Sequence, residues 1–140
     1  MKKLFLSLTL ALLALPVFAQ TGKTLLNLNH SGVAIQGFDP VAFFTDHKPV
    51  KGDPRFVVKH DGAIYFFASK EHREIFKADP AKYEPQFGGF CAYGCSRNKL
   101  VKIDVDAFQI VDGKLLLQYS KGVRDDFNED LKGNLARANA

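Results

Sequence analysis

The sequence predicts a small single α+β domain, and three observations carry that expectation. Two Asp-Gly pairs, Asp61-Gly62 and Asp112-Gly113, each sit between apolar runs of strand length, the pattern of an antiparallel hairpin. Ser and Asp residues at helix-start positions punctuate the chain between and after those runs. Near the C-terminus Val123, Phe127, Leu131 and Leu135 recur every four residues, an apolar stripe on a helix that is charged elsewhere. Short hairpins with interspersed short helices and a C-terminal helix define the class.

Taken in order, the chain opens with the pattern of an export signal. Lys2 and Lys3 precede an apolar run from Leu4 to Leu15, Pro16 breaks it, and Val17-Phe18-Ala19 supplies a small-residue cleavage site before Gln20. As a helix the run is roughly 18 Å long against a hydrocarbon core of ~30 Å, too short to span. A removable signal peptide is therefore expected over residues 1–19, with a periplasmic or secreted product and no membrane insertion after cleavage. A polar leader is expected over 20–32 and the domain over 33–138.

Within the domain, Val33 to Gln36 reads as a short strand ending at Gly37. Asp39-Pro40 is a helix start, the carboxylate capping free amides and the proline sitting where its missing N–H costs nothing; the helix should end near His47. Residues 55–59 and 63–68 form the first hairpin. Ser69 caps a helix over 70–78 with Ile75 and Phe76 inward, and Asp79-Pro80 starts a short turn through Tyr83. Gly88-Gly89 is a joint before the segment bearing Cys91 and Cys95. Residues 108–111 and 114–119 form the second hairpin, and Ser120 begins the last helix. No internal repeat and no low-complexity stretch is apparent.

Composition excludes several function classes. The formal charge of +4 includes Lys2 and Lys3, and the remaining lysines alternate with acids, so no basic stripe suited to nucleic acid exists. No glycine cluster links a strand to a helix as a phosphate loop requires. No Ser-His-Asp arrangement and no tuned carboxylate pair marks an enzyme. His60, beside Asp61-Gly62, reads as a solvent-facing turn residue, and Asp39 as a cap alone.

The chemistry-bearing motif is Cys91-Ala92-Tyr93-Gly94-Cys95, which holds the only two cysteines of a chain expected in an oxidising compartment. If residues 90–96 are helical, both thiols share a face with Cβ atoms about 5–6 Å apart. A disulfide wants about 3.5–4.5 Å, although Gly94 weakens the helix enough to permit closure. Two thiolates four apart also suit a soft cation such as Cu(I), or zinc, provided His72, His60, His47 or His30 completes the site. The third reading makes Cys91 a small buried apolar residue with Cys95 incidental. The sequence leaves these open.

The stretches Gly37-Phe38-Asp39-Pro40-Val41-Ala42-Phe43-Phe44, Lys48 to Gly52, Gly62 to Ser69, Phe76 to Pro80, Tyr83 to Ser96 and Ile110 to Leu115 resemble the YHS domain, in particular the stand-alone exported YHS proteins of bacteria. The resemblance covers about residues 33–137. Relatives fused to copper-transporting ATPases carry soft-metal cysteines where this chain has Ala42, Ala68 and His72, so their ligand set is mostly missing here. The resemblance nevertheless implies that His72 occupies a ligand position. The expected function is an exported, non-catalytic binding domain holding a metal ion, copper first or else zinc, through Cys91 and Cys95 with His72. The alternative is an interaction module with structural cysteines that docks an envelope protein around Phe90 and Tyr93. A thiol-redox role is a third expectation, weakened by the Cys-x3-Cys spacing.

Overall fold

The computed structural model describes residues 24–140. The expected signal peptide and the first residues of the leader lie outside the described residues. The α+β class holds: among the described residues, six α-helices and two small antiparallel sheets of two strands each make one domain. In chain order these are α1 (Ala42–Thr45), β1 (Asp53–His60), β2 (Ala63–Phe67), α2 (Lys70–Ala78), α3 (Pro80–Tyr83), α4 (Ala92–Ser96), β3 (Asp104–Val111), β4 (Lys114–Gln118), α5 (Lys121–Glu129) and α6 (Leu131–Asn139).

Both hairpins close as their Asp-Gly pairs require. Asp61 and Gly62 have φ of 46° and 84°, Asp112 and Gly113 of 50° and 73°, so each turn bends with the strand twist. His60 faces Ala63 across the first turn and Val111 faces Lys114 across the second. Ser69 and Ser120 cap α2 and α5, their hydroxyls accepting from the amides of His72 and Val123.

Contrary to the expectation of no repeat, the domain is built from two copies of one unit. The bounds of β1, β2 and α2 recur 51 residues later as β3, β4 and α5, from Asp53 to Asp104 and from Ala78 to Glu129. Asp53 and Asp104 each accept from the amide two residues on. Phe76 and Phe127, equivalent on the two helices, are both fully buried. Ahead of each hairpin runs a turn of left-handed residues, Ile35-Gln36-Gly37 in one copy and Phe87-Gly88-Gly89 in the other. Each turn is anchored to its second strand by one amide, Ala34 to Ile64 and Gln86 to Leu115. The signal in sequence is thin: Val50-Lys51, Asp53, Asp61-Gly62, Ser69-Lys70, Arg73, Phe76 and Asp79 recur 51 positions on, and little else does.

Four further expectations are corrected. The strand at 33–36 is two isolated bridges, Ala34 with Leu28 and Val33 with Ile64, because the chain turns into left-handed backbone at Ile35 before a ladder can extend. Ile75 remains exposed, and Phe76 alone of that pair enters the core. The last helix breaks at Asp130 (φ −134°, ψ 60°), whose carboxylate then caps α6 by accepting from Gly133. Residues 24–28, read as part of a leader, pack Leu26 and Leu28 against the core and bond Asn27 to the backbone oxygens of Gly88 and Gly89. The main core joins both units, drawing Val41, Phe43, Phe67 and Phe76 from one and Cys91, Leu115 and Leu117 from the other. Among the described residues no helix is long and apolar enough to cross a membrane.

Candidate functional site

Cys91 lies outside the helix expected over 90–96. It is the extended residue preceding α4 (φ −57°, ψ 122°), so its sulfur folds back over the helix start while Cys95 sits in the last turn. The two therefore do not share a helical face in the way the spacing suggests. Cys91 is 1% exposed, and both cysteines are free thiols. Its sulfur accepts from the amides of Gly94 (3.5 Å) and Tyr119 (3.3 Å) and donates to Gln118 Oε1 (3.3 Å). Gln118, fully buried, also accepts from the Tyr93 amide at 3.0 Å, while its Nε2 has no partner. Cys95 is half-buried; burial pushes its thiol up, and nearby Cys91 adds to the shift.

The internal duplication explains Cys91. Its counterpart is Asp39, also fully buried, whose Oδ1 accepts from the amides of Val41 (2.8 Å) and Ala42 (3.3 Å). Oδ2 accepts from the Ala68 amide at 2.8 Å, and Ala68 is 51 residues before Tyr119. Each residue thus ties a short helix start to the backbone just after its hairpin. Asp39 has one partner more: His72 Nδ1 donates to Oδ2 at 2.6 Å. With Nδ1 as the donor to the carboxylate, Nε2 lies 3.4 Å from Thr45 Oγ1. Val123 stands at the equivalent place in the second unit.

The residues predicted to hold copper or zinc are consequently dispersed in role. Cys91 is committed to three hydrogen bonds in the core, His72 to Asp39, and the two thiols and His72 do not form a group of three donors within 4.8 Å. His47, at φ 54°, and His30 are exposed and belong to no such cluster. Of the proposed docking pair, Tyr93 packs edge-on against Phe127 and is covered by Arg97, and Phe90 is part-buried.

A different place on the molecule gathers donors. Among the described residues, one group of three or more metal-ligating side chains lies within 4.8 Å: His60, Asp61 and Glu84. His60 Nε2 is 3.2 Å from Asp61 Oδ2 and 3.6 Å from Glu84 Oε2. His60 is not the solvent-facing turn residue expected: its side chain is 27% exposed and its ring meets Phe76 edge-on. Glu84 comes from the stretch after α3, which no local pattern connects to the first hairpin.

Asp61 and Glu84 line a cleft of about 960 Å³ together with Leu25, Leu26, Leu28 and residues 85–88. Tyr65 also lines it. This side chain is 4% exposed, and its hydroxyl makes no hydrogen bond to any described residue. Burial, then Glu84 and Asp61, push its phenol far above the ordinary range. Burial likewise raises the Glu84 carboxyl, opposed by His60; Asp61 reinforces the rise and Lys114 opposes it. Ligand pockets commonly enclose roughly 300–1,000 Å³, and the volume of this cleft falls within that range. No protein-family model, curated protein or solved structure matches the chain.

Proposed function

We propose that the chain is a non-catalytic binding domain whose ligand seat is the cleft beside the first hairpin, whose ligand carries positive charge, and whose cysteines are structural. The observation that carries this reading is that two carboxylates, Asp61 and Glu84, line one cleft together with leucines and with Tyr65, whose hydroxyl has no partner among the described residues. Glu84, partly desolvated, attracts a cation more strongly than the same acid on an open surface, and the exposed Asp61 adds its charge. The equivalence of Cys91 with Asp39 supports the structural role of that thiol, since both act as acceptors for the same two backbone sites. The residue pattern of 1–19 supports an exported setting, periplasmic or secreted.

Copper held by Cys91 and Cys95 is the competing reading. It requires the buried Cys91 thiol to lose the proton that it donates to Gln118 Oε1, which leaves a thiolate facing that oxygen. An interaction surface centred on Phe90 and Tyr93 is disfavoured by the packing of Tyr93. The test is an NMR titration of the labelled chain with 1,6-diaminohexane and, separately, hexanoate. Shifts confined to Asp61, Tyr65 and residues 84–88 with the diamine, absent with hexanoate, are expected. Equal response to both probes, or shifts centred on residues 91–96, would overturn the proposal.

A further inference from the structure

We infer that the positive charge the cleft receives is a divalent metal ion of the zinc class, held by Asp61 and Glu84, which line the cleft, and by His60 Nε2, which adjoins both. This rests on the cleft being the ligand seat and names its ligand. Ligand atoms about 2.0–2.2 Å from a tetrahedral zinc lie about 3.3–3.6 Å from one another, because a tetrahedral edge is 1.63 times the bond length. The two separations measured from His60 Nε2 are 3.2 and 3.6 Å, and all three donor atoms lie within 4.8 Å of one another, close enough for one ion to reach them all. One imidazole and two carboxylates form a nitrogen–oxygen donor set, suited to zinc or manganese and not to Cu(I).

Three features make this more than a chance pairing of acids with a histidine. The donors come from two distant segments, the first turn and the end of α3, and are held there by the hairpin and by α3, not by long flexible stems alone. Tyr65, nine-tenths buried, lines the same cleft with a hydroxyl that has no partner among the described residues and can bond a fourth, exogenous ligand of the ion. The duplication provides an internal comparison: the second turn keeps Asp112 but has Val111 in place of His60, so the donor cluster is specific to the first unit. Lys114, the basic group near Glu84, opposes binding by charge but offers no ligand at neutral pH.

The experiment is isothermal titration of the chelator-treated chain with zinc and manganese chloride, with the Co(II) absorption spectrum as a second readout. One equivalent of metal is expected, weakened at least tenfold in both His60→Ala and Glu84→Gln and unchanged in Cys95→Ser. Circular dichroism confirms that each variant is folded, and Glu84→Gln keeps the side-chain shape while removing its charge. Bound cobalt should lack a thiolate charge-transfer band. A thiolate band, or affinity that survives both substitutions and falls in Cys95→Ser, overturns the inference. No metal binding while 1,6-diaminohexane still shifts Tyr65 also overturns it, yet leaves the cleft as the ligand seat. Silence toward both probes overturns the cleft reading as well.

Discussion

Asp39 and Cys91 perform one task with different chemistry, and the difference sets what each is worth. The carboxylate accepts three backbone amides and an imidazole, all in the interior; the thiol accepts two amides through longer, weaker contacts to sulfur. Asp39→Ala should therefore cost about 3 kcal/mol or more, from several stranded buried donors at about 1–3 kcal/mol each. Cys91→Ala should cost about 1–3 kcal/mol, and Cys91→Ser less than Cys91→Ala because a hydroxyl retains part of the acceptor role. Urea unfolding of the three variants checks both size and order. A Cys91→Ala protein as stable as the parent would remove the capping role on which the structural reading of the cysteines stands.

The elements legible in sequence were those whose cause is local. Asp-Gly turns need two positive-φ residues in a row, and Ser at a helix start needs only the amide three residues on; both hairpins, α2 and α5 follow from such pairs. Elements set by distant contact were not legible: the 33–36 segment, the break at Asp130 and the start of α4 at Ala92 instead of residue 90. Glycines show the same division. Gly113 has φ +73° with nothing within 4 Å of an added Cβ, so Gly113→Ala should cost only the left-handed strain of about 1–2 kcal/mol. Gly88 has φ +64°, and a Cβ there would lie 2.1 Å from the Leu25 carbonyl oxygen. Gly88→Ala must therefore also push away the 24–28 segment that walls the cleft. Hydrogen exchange should show faster exchange at the Asn27 amide, which bonds Gly88, in Gly88→Ala and parental exchange there in Gly113→Ala. Matching patterns in both variants would mean that the segment is not held by this contact.

At the scale of the molecule, the candidate site was the least legible part, because it depends on how two copies of one unit sit together. The duplication hides in sequence: Asp39 and Cys91 share no chemistry beyond accepting hydrogen bonds, and the opposing copies have diverged into Phe and Leu cores. His60 and Asp61 were visible as neighbours; Glu84, which makes them a cluster, and Tyr65, which shares their cleft, were not. Tyr65 has a consequence for the stability of the whole domain. Its phenol is raised above 10.0, first by burial and then by Glu84 and Asp61, so the folded state holds that proton more tightly than the unfolded chain. A folded-state pKa above the unfolded one contributes stability that is complete below the unfolded value and is lost as pH rises through the folded value. The loss should begin near pH 10, as the unfolded phenol starts to ionise while the folded one does not. Urea midpoints measured from pH 8 to 11 should fall on the alkaline side in the parent and fall less steeply in Tyr65→Phe, with the two nearly coincident at pH 8. Parallel alkaline limbs would show that Tyr65 is ionisable in the folded protein, and hence that the cleft is wetter and less able to concentrate the charge of Asp61 and Glu84 than its burial implies.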